Sequence, residues 1–302
     1  MQLWTTQVAS ARGAQRMAQE VEAAGWDGLL VVDSQNLSGD PYVALALAAV
    51  ATKRIGLGTG VTNSVTRHAA ATATAITSVN RVSNGRAVLG IGRGDSALAH
   101  LGRAPARLRQ FARYLKQLQA YLRGESVPFE EIDIPFEAAP PMSELHLHDA
   151  PPASRIAWIA EGAKVPMEVA ASGPKVIALS ALHAERVMFT LGADVERLQW
   201  GIELAKKTRR DAGLDPNAIA FGAYINMGCH SDLEKARGLV RGGLTTFARF
   251  SVMHGKANGP VSDRDRAQLE TLVSNYDMKQ HTRADSRQAG TLADDFVDRF
   301  AV

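Results

Sequence analysis

The sequence predicts an α/β fold of the TIM (β/α)8 type, with an insertion after the fourth helix and without the C-terminal closing strand. Three observations carry this. Short apolar runs alternate with helical stretches over most of the chain. No hairpin turn joins the early runs, so they need helical crossovers and parallel pairing. The 302 residues, 46% apolar and 22% charged, suit one large core, because barrels of about 250 residues form single domains. Residues 1–302 are therefore read as one domain.

Leu3 to Thr6 reads as the opening strand, and Gly13 to Ala24 as a helix with Met17, Ala18 and Val21 on one face and Gly25 just past its end. Gly28 to Val32 is a buried strand. Asp40 and Pro41 supply an N-cap and a first-turn proline for a helix, Tyr42 to Ala51, that is apolar almost all round and so expected to be deeply packed. Ile55 to Thr62 is the third strand, Thr66 to Val82 the third helix and Arg86 to Gly92 the fourth strand. Arg107 to Leu122 is an amphipathic helix with Leu108, Phe111, Leu115, Leu118 and Leu122 inward.

The beat breaks at Glu125. Segment 125–161 carries Pro128, Pro135, Pro140, Pro141, Pro151 and Pro152, with alternating stretches at Glu144 to His148 and Arg155 to Ile159, and is expected to be an insertion with a hairpin. The alternation resumes with strand Pro166 to Ala170, helix Pro174 to Ala184, strand Arg186 to Leu191, helix Val195 to Ala212 and strand Ala220 to Met227. Ser231 with Glu234 forms a capping box for the next helix. Residues 244–302 read as helical, with Leu269, Leu272, Val273 and Tyr276 on one face. Seven strands are thus counted where a closed barrel needs eight, so either the count is short or the barrel lacks its last strand.

Composition narrows the function. Thirty-four Lys and Arg against 31 Asp and Glu give a net charge of +3. The clusters at Lys206, Lys207, Arg209 and Arg210, and at Arg103, Arg107, Arg109 and Arg113, lack the aromatic interleaving of a nucleic-acid surface and read as solvated helix faces. Cys229, the one cysteine, cannot form an internal disulfide. No apolar run reaches the roughly 18 residues of a membrane span, and Met1 to Gln15 has no secretion signal. A cytoplasmic protein without membrane or nucleic-acid partners is expected.

Barrel chemistry sits just after the strands. Asp33-Ser34-Gln35-Asn36 follows the second. In the third, Gly56, Gly58 and Gly60 leave one face without side chains, open to a flat ligand or to tight packing. The fourth exits into Gly90-Ile91-Gly92-Arg93-Gly94-Asp95-Ser96, which has neither dinucleotide nor Walker spacing, but whose amides, Arg93 and Ser96 suit an anion. After the fifth, Ser172-Gly173-Pro174-Lys175 opens a helix whose free N–H groups and lysine fit a phosphate, unless Ser172 only caps it. Gly192 and Ala193 precede the next helix start. His146 and His148 lack a third ligand, so no metal is expected. Cys229 has no activating neighbour and reads as a packed thiol. Ser34 and Ser96 lack the nucleophile-elbow pattern of a hydrolase.

In combination, Gly25-Trp26-Asp27-Gly28, Asp33-Ser34-Gln35, Leu57 to Asn63 with Thr66-Arg67-His68, Gly90 to Ser96, Ser172 to Lys175 and Tyr224-Ile225-Asn226 resemble the bacterial-luciferase-like oxidoreductase superfamily. The likeness is to its coenzyme F420 branch, which includes methylenetetrahydromethanopterin reductases. It implies a TIM-like barrel with the deazaflavin ring against Gly60-Val61, where the family keeps a cis peptide bond. The phosphate is expected at Ser172, Gly173, Pro174 and Lys175, with Gly192 and Ala193 nearby, and the ribityl chain or tail at Arg93 and Ser96. Asp33, Asn63 and His68 are the expected contacts around the ring and substrate.

The implied chemistry is hydride transfer at C5 of the deazaflavin with a small organic or pterin-like substrate. An FMN-dependent monooxygenase and a coenzyme-binding protein without turnover are the alternatives. Reductase relatives can carry an acid in the first strand, and here none precedes Glu20. A homodimer through the Tyr42 to Ala51 helix is also expected.

Overall fold

The computed structural model describes residues 1–253, 255–281 and 283–302. In chain order its first elements are β1 (Trp4–Gln7), α1 (Ala14–Ala23), β2 (Gly28–Val31), α2 (Pro41–Ala51), β3 (Gly56–Thr59), β4 (Thr62–Asn63), α3 (Ala69–Val82) and β5 (Ala87–Gly92). Then come α4 (Ser96–Ala99), α5 (Leu108–Leu122), β6 (Met167–Ala171), α6 (Pro174–His183), β7 (Arg186–Phe189), α7 (Val195–Asp211) and β8 (Ala220–Ala223). Last are α8 (Leu233–Phe250), α9 (Asp263–Ser274) and α10 (Asp294–Phe300). No described helix is long and apolar enough to cross a membrane. The chain forms two compact units, Met1–Leu89 with Arg109–Pro166, and Gly90–Leu108 with Met167–Val302.

In the first unit β1, β2, β3 and β5 pair in parallel, with Trp4 opposite Gly28, Gly28 opposite Gly56, and Leu57 opposite Ala87. Helical crossovers between successive strands make this the predicted βα repeat. Asp40 caps α2 by accepting from the Tyr42 and Val43 amides, with Pro41 in the first turn. At the other end Arg86 donates to the carbonyls of Ala49 and Thr52, which the helix leaves unpaired, and to that of Ile55 just before β3.

Four expectations change here. The glycine face of β3 is filled by protein: a Cβ on Gly56 would lie 2.3 Å from the Trp4 ring, one on Gly28 2.2 Å from it, and those on Gly58 and Gly60 2.9 and 2.7 Å from Leu30. The bare backbone makes room for Trp4 and Leu30, which decides for tight packing. The third strand breaks at a cis Gly60-Val61 bond, where the family resemblance puts one. α3 begins at Ala69, because Asn63 folds residues 63–66 into a turn by accepting from the Val65 and Thr66 amides. α2 buries Tyr42, Ala44, Leu45 and Ala48 but leaves Val43 and Val50 exposed, at 50% and 64%.

Segment 125–161 carries short 3₁₀ turns and one antiparallel bridge, Val127 to Ser154, and no strand among the described residues. Its prolines lack the N–H groups a hairpin ladder needs, which accounts for the missing hairpin. His146 and His148 are exposed there, and no group of three potential metal ligands occurs among the described residues.

In the second unit β6, β7 and β8 pair in parallel, Glu168 opposite Arg186 and Arg186 opposite Ala220. Ala171, Val187 and Phe189 pack against Ile177, Ala181 and Ala205 of α6 and α7. A further core joins Leu244 and Ala248 of α8 to Leu269 and Leu272 of α9 and Phe296 and Phe300 of α10, and Val273 and Tyr276 pack against it, as the sequence face predicts. The cap of α8 is Asp232, accepting from the Glu234 and Lys235 amides, instead of Ser231. Past β8, Ala301 forms a single parallel bridge with Asn226. β8 ends at Ala223, so Cys229 lies in an exposed stretch and is a free surface thiol, contrary to the packed one expected.

Candidate functional site

In the first unit Asp33 lies just beyond β2 and is buried, 4% exposed. One carboxylate oxygen, Oδ2, accepts from Thr62 Oγ1 and Arg67 Nη1, both at 2.6 Å. The other side of the Arg67 fork donates to Asp40 Oδ2 at 2.5 Å, so the guanidinium ties the end of β2 to the cap of α2. Arg67 also lies over the Tyr42 ring, 5.0 Å from its centroid. Its carbonyl accepts from the Tyr114 hydroxyl, which shares a 2.7 Å hydrogen bond with Thr72. Burial pushes the Tyr114 hydroxyl up to about 12 and raises that of Tyr42 further, so both act as neutral groups. The Tyr42 hydroxyl is buried beside Thr62 without a hydrogen bond of good geometry.

Asn63 is 1% exposed and committed to its own turn, its Nδ2 donating to Thr66 Oγ1. His68 caps α3, its Nδ1 accepting from the Ala70 amide at 3.2 Å. That bond places the neutral ring's proton on Nε2, an atom buried without a partner. Burial lowers the His68 pKa. The ring meets Tyr121 edge-on at 6.4 Å. Of the three, Asp33 joins the network of Thr62, Arg67, Tyr42 and Tyr114, whereas the Asn63 side chain serves the turn at 63–66 and His68 the start of α3 beside Tyr121.

The second unit holds the other predicted residues. Arg93 Nε donates to the Ala106 carbonyl at 2.6 Å, and its pKa is lowered by burial. Ser96 opens α4, and the carboxylate of its neighbour Asp95 pairs with Arg249. Arg249 also lies over the Tyr276 ring at 4.7 Å, and the Tyr276 hydroxyl meets His281 Nδ1 at 2.7 Å.

α6 starts at Gly173 with no side-chain cap, Pro174 in its first turn, and Lys175 exposed. Ser172 does not cap it: its hydroxyl donates to the Phe250 carbonyl at 3.0 Å. Pro174 has no N–H and the Val176 amide donates to the Gly173 carbonyl at 3.0 Å, so the first turn offers an acceptor the Lys175 amide and the positive helix end. Gly192 takes a left-handed φ of 81° with the Phe300 ring against it, and the Ala193 amide is spent on the Phe300 carbonyl at 3.1 Å. Ala193 therefore offers no amide to a phosphate.

Two arginines without a predicted role, Arg67 and Arg197, are central to these networks. Arg67 sits within the Thr66-Arg67-His68 motif. Arg197 shares with Gly201 and Ala205 the buried stripe of α7, and a charged residue at that spacing was its signal.

A family model described as luciferase-like monooxygenase matches residues 2–302. A 5,10-methylenetetrahydromethanopterin reductase from Methanolobus tindarius is 29% identical over 222 residues, 73% of this chain and 62% of that relative's length. The chain thus matches under two thirds of that relative. The solved coenzyme F420 dependent tetrahydromethanopterin reductase from Methanopyrus kandleri superposes with a TM-score of 0.71 at 18% identity, covering 99% of this chain and 85% of that one. An F420-dependent secondary alcohol dehydrogenase, solved with an F420-acetone adduct, gives a TM-score of 0.70 at 17% identity over 99% and 84% of the two chains. Those likenesses establish the TIM-barrel-type α/β fold, and with the family match over nearly the whole sequence the chain belongs to the luciferase-like monooxygenase family.

Proposed function

We propose that this chain is an oxidoreductase that transfers a hydride between coenzyme F420 and a small organic or pterin-like substrate. The observation that carries the reading is the uncapped start of α6, with Ser172 turned away and Lys175 exposed, which fits a phosphate. The F420-dependent reductase and alcohol dehydrogenase among the structural likenesses support F420 as its bearer. When bound, the coenzyme supplies the carbon centre that takes or gives the hydride. Gly173, Pro174 and Lys175 hold the phosphate in this reading, with Gly192 and Ala193 shaping the adjacent turn. Arg93 and Ser96 serve the ribityl chain or tail, and the Gly60-Val61 turn the ring, away from the glycine face that Trp4 and Leu30 fill.

The residues around the reaction bind and orient. Arg67 fixes Asp33 in one rotamer, Asn63 holds the turn before α3, and His68 keeps its proton on Nε2. The buried tyrosines exclude water, which sharpens the electrostatics of the site. We place the enzyme in the cytoplasm as a homodimer, joined through the exposed Val43 and Val50 of α2. Sedimentation of Val43→Glu/Val50→Glu against the parent chain tests the dimer.

The description of the matched family favours a second reading, an FMN-dependent monooxygenase. Anaerobic mixing of the chain with reduced F420 and either methylene-tetrahydromethanopterin or small ketones tests the function. Oxidation of the coenzyme with reduction of one acceptor is expected. Binding without oxidation supports a coenzyme-binding protein without turnover, and oxygen-dependent turnover with FMN supports the monooxygenase.

A further inference from the structure

We infer that Arg197 is a positioning residue whose buried charge makes the second unit selective for a phosphate-bearing coenzyme. The inference rests on the proposed phosphate site at the start of α6 and adds a residue that does not touch the ligand.

Arg197 is 0% exposed and heads the largest fully buried side chains. Its Nη1 donates to the Leu191 carbonyl at 3.2 Å, and its Nη2 to Ser251 Oγ at 2.9 Å and the Asn258 carbonyl at 3.0 Å. Its Nε is buried without a hydrogen-bond partner, and the guanidinium lies 5.3 Å from the Phe300 ring centroid. Among the described residues no carboxylate pairs with it. The two acids whose charge reaches it are committed elsewhere: Asp194 accepts from the Arg197 amide as the cap of α7, and Asp265 pairs with Arg299 and Ser262. An ion buried without a counter-ion is costly, and arginine holds its proton more firmly than any other side chain. The protein thus keeps a positive charge where water does not screen it.

The partners of that charge adjoin the proposed phosphate residues. Ser172 Oγ donates to the carbonyl of Phe250, the residue before Ser251. Asn258 donates its amide to the Ser251 carbonyl at 2.8 Å, and its Nδ2 lies 3.5 Å from where a Gly173 Cβ would stand. Gly192 follows Leu191 and packs on Phe300, whose carbonyl takes the Ala193 amide. Ser172 and Ala193 are each hydrogen-bonded to a residue that contacts Arg197 or to its chain neighbour, Gly192 packs on Phe300, and Asn258 adjoins Gly173. A purely structural stitch needs these hydrogen bonds but not a charge; a bound phosphate supplies the anion the cluster lacks.

The test compares wild type, Arg197→Met and Arg197→Lys by fluorescence titration with coenzyme F420 and with its phosphate-free deazaflavin-ribityl fragment, with melting temperatures recorded. Arg197→Met is expected to weaken F420 binding by about tenfold or more and to leave the fragment's affinity within about twofold. Arg197→Lys keeps the charge but loses the fork, and is expected to retain most of the F420 preference at lower thermal stability. If the methionine variant does not fold, Arg197→Gln, which keeps hydrogen-bond donors without the charge, carries the comparison with the same expected loss of F420 preference. Parallel loss of both ligands, an unchanged F420-to-fragment ratio, or a wild type that binds the two equally overturns the inference and leaves the F420 reading standing. Binding of FMN without F420 overturns that reading instead, and the FMN-to-riboflavin ratio in the same variants then decides the role of Arg197. Binding of none of the four overturns both.

Discussion

Gly56→Ala should destabilise the protein only while Trp4 is present. An alanine Cβ at position 56 would stand 2.3 Å from Trp4 Cη2 and 2.6 Å from Cζ2, and one at the paired Gly28 would stand 2.2 Å from the same ring, which lies across both glycines. The Cβ would push the indole off the strand face that it covers, so the substitution should cost about 1–3 kcal/mol as overpacking. Trp4→Ala alone should cost about 3 kcal/mol for the cavity, the low end of the range because the ring is only half-buried. With the ring gone, Gly56→Ala meets no obstacle and should gain about 0.5–1 kcal/mol from restricting the unfolded chain. The coupling between the two positions is therefore about 1.5–4 kcal/mol. Urea unfolding of the four proteins, followed by circular dichroism, reads it. A Gly56→Ala effect equal in both backgrounds to within about 0.5 kcal/mol would refute the packing account and reopen the glycine face to a ligand.

Three further outcomes follow from the buried charges. Arg67→Met strands Asp33, whose side chain is 2% exposed, and should cost about 3 kcal/mol, part of which Asp33→Asn in the same chain recovers; a double-mutant cycle checks this. Glu168 is buried opposite Arg186, and burial raises its pKa against the pull of the arginine. An acid with a raised folded pKa loses stability as pH rises, so Arg186→Met should cost about 3 kcal/mol near pH 8 and clearly less near pH 5; equal costs would contradict it. The lowered pKa of His68 means the unfolded chain binds its proton first, so that contribution falls away as pH drops below about 6.5. His68→Asn keeps the cap, and its unfolding free energy should fall less than the parent's between about pH 7.5 and 5.5.

The repeat of strands and helices was legible because it rests on local signals. Asp40 and Pro41 fix the start of α2 through two backbone amides, and the face of Leu269 and Leu272 repeats at helical spacing. The errors arise where a distant partner decides. The glycines of β3 looked equally suited to a ligand, since nothing near them in sequence announces Trp4, which fills the space from β1. Ser231 and Asp232 are adjacent caps of similar propensity, and the three-dimensional entry of the chain selects the aspartate. In segment 125–161 alternation suggested strands, but the proline density left no ladder to form. Of the site, the residue types after each strand were readable. That Ser172 turns to Phe250, that the Ala193 amide is consumed, and that Arg197 lies buried among them depend on α8 and α10, many residues away.

The central claim, that this member of the luciferase-like family uses a deazaflavin, is tested most directly by equilibrium titration of the purified chain with coenzyme F420 and with FMN, followed by fluorescence quenching. Saturable binding of F420, with FMN bound far more weakly, is the predicted result; tight binding of FMN without F420 would contradict it.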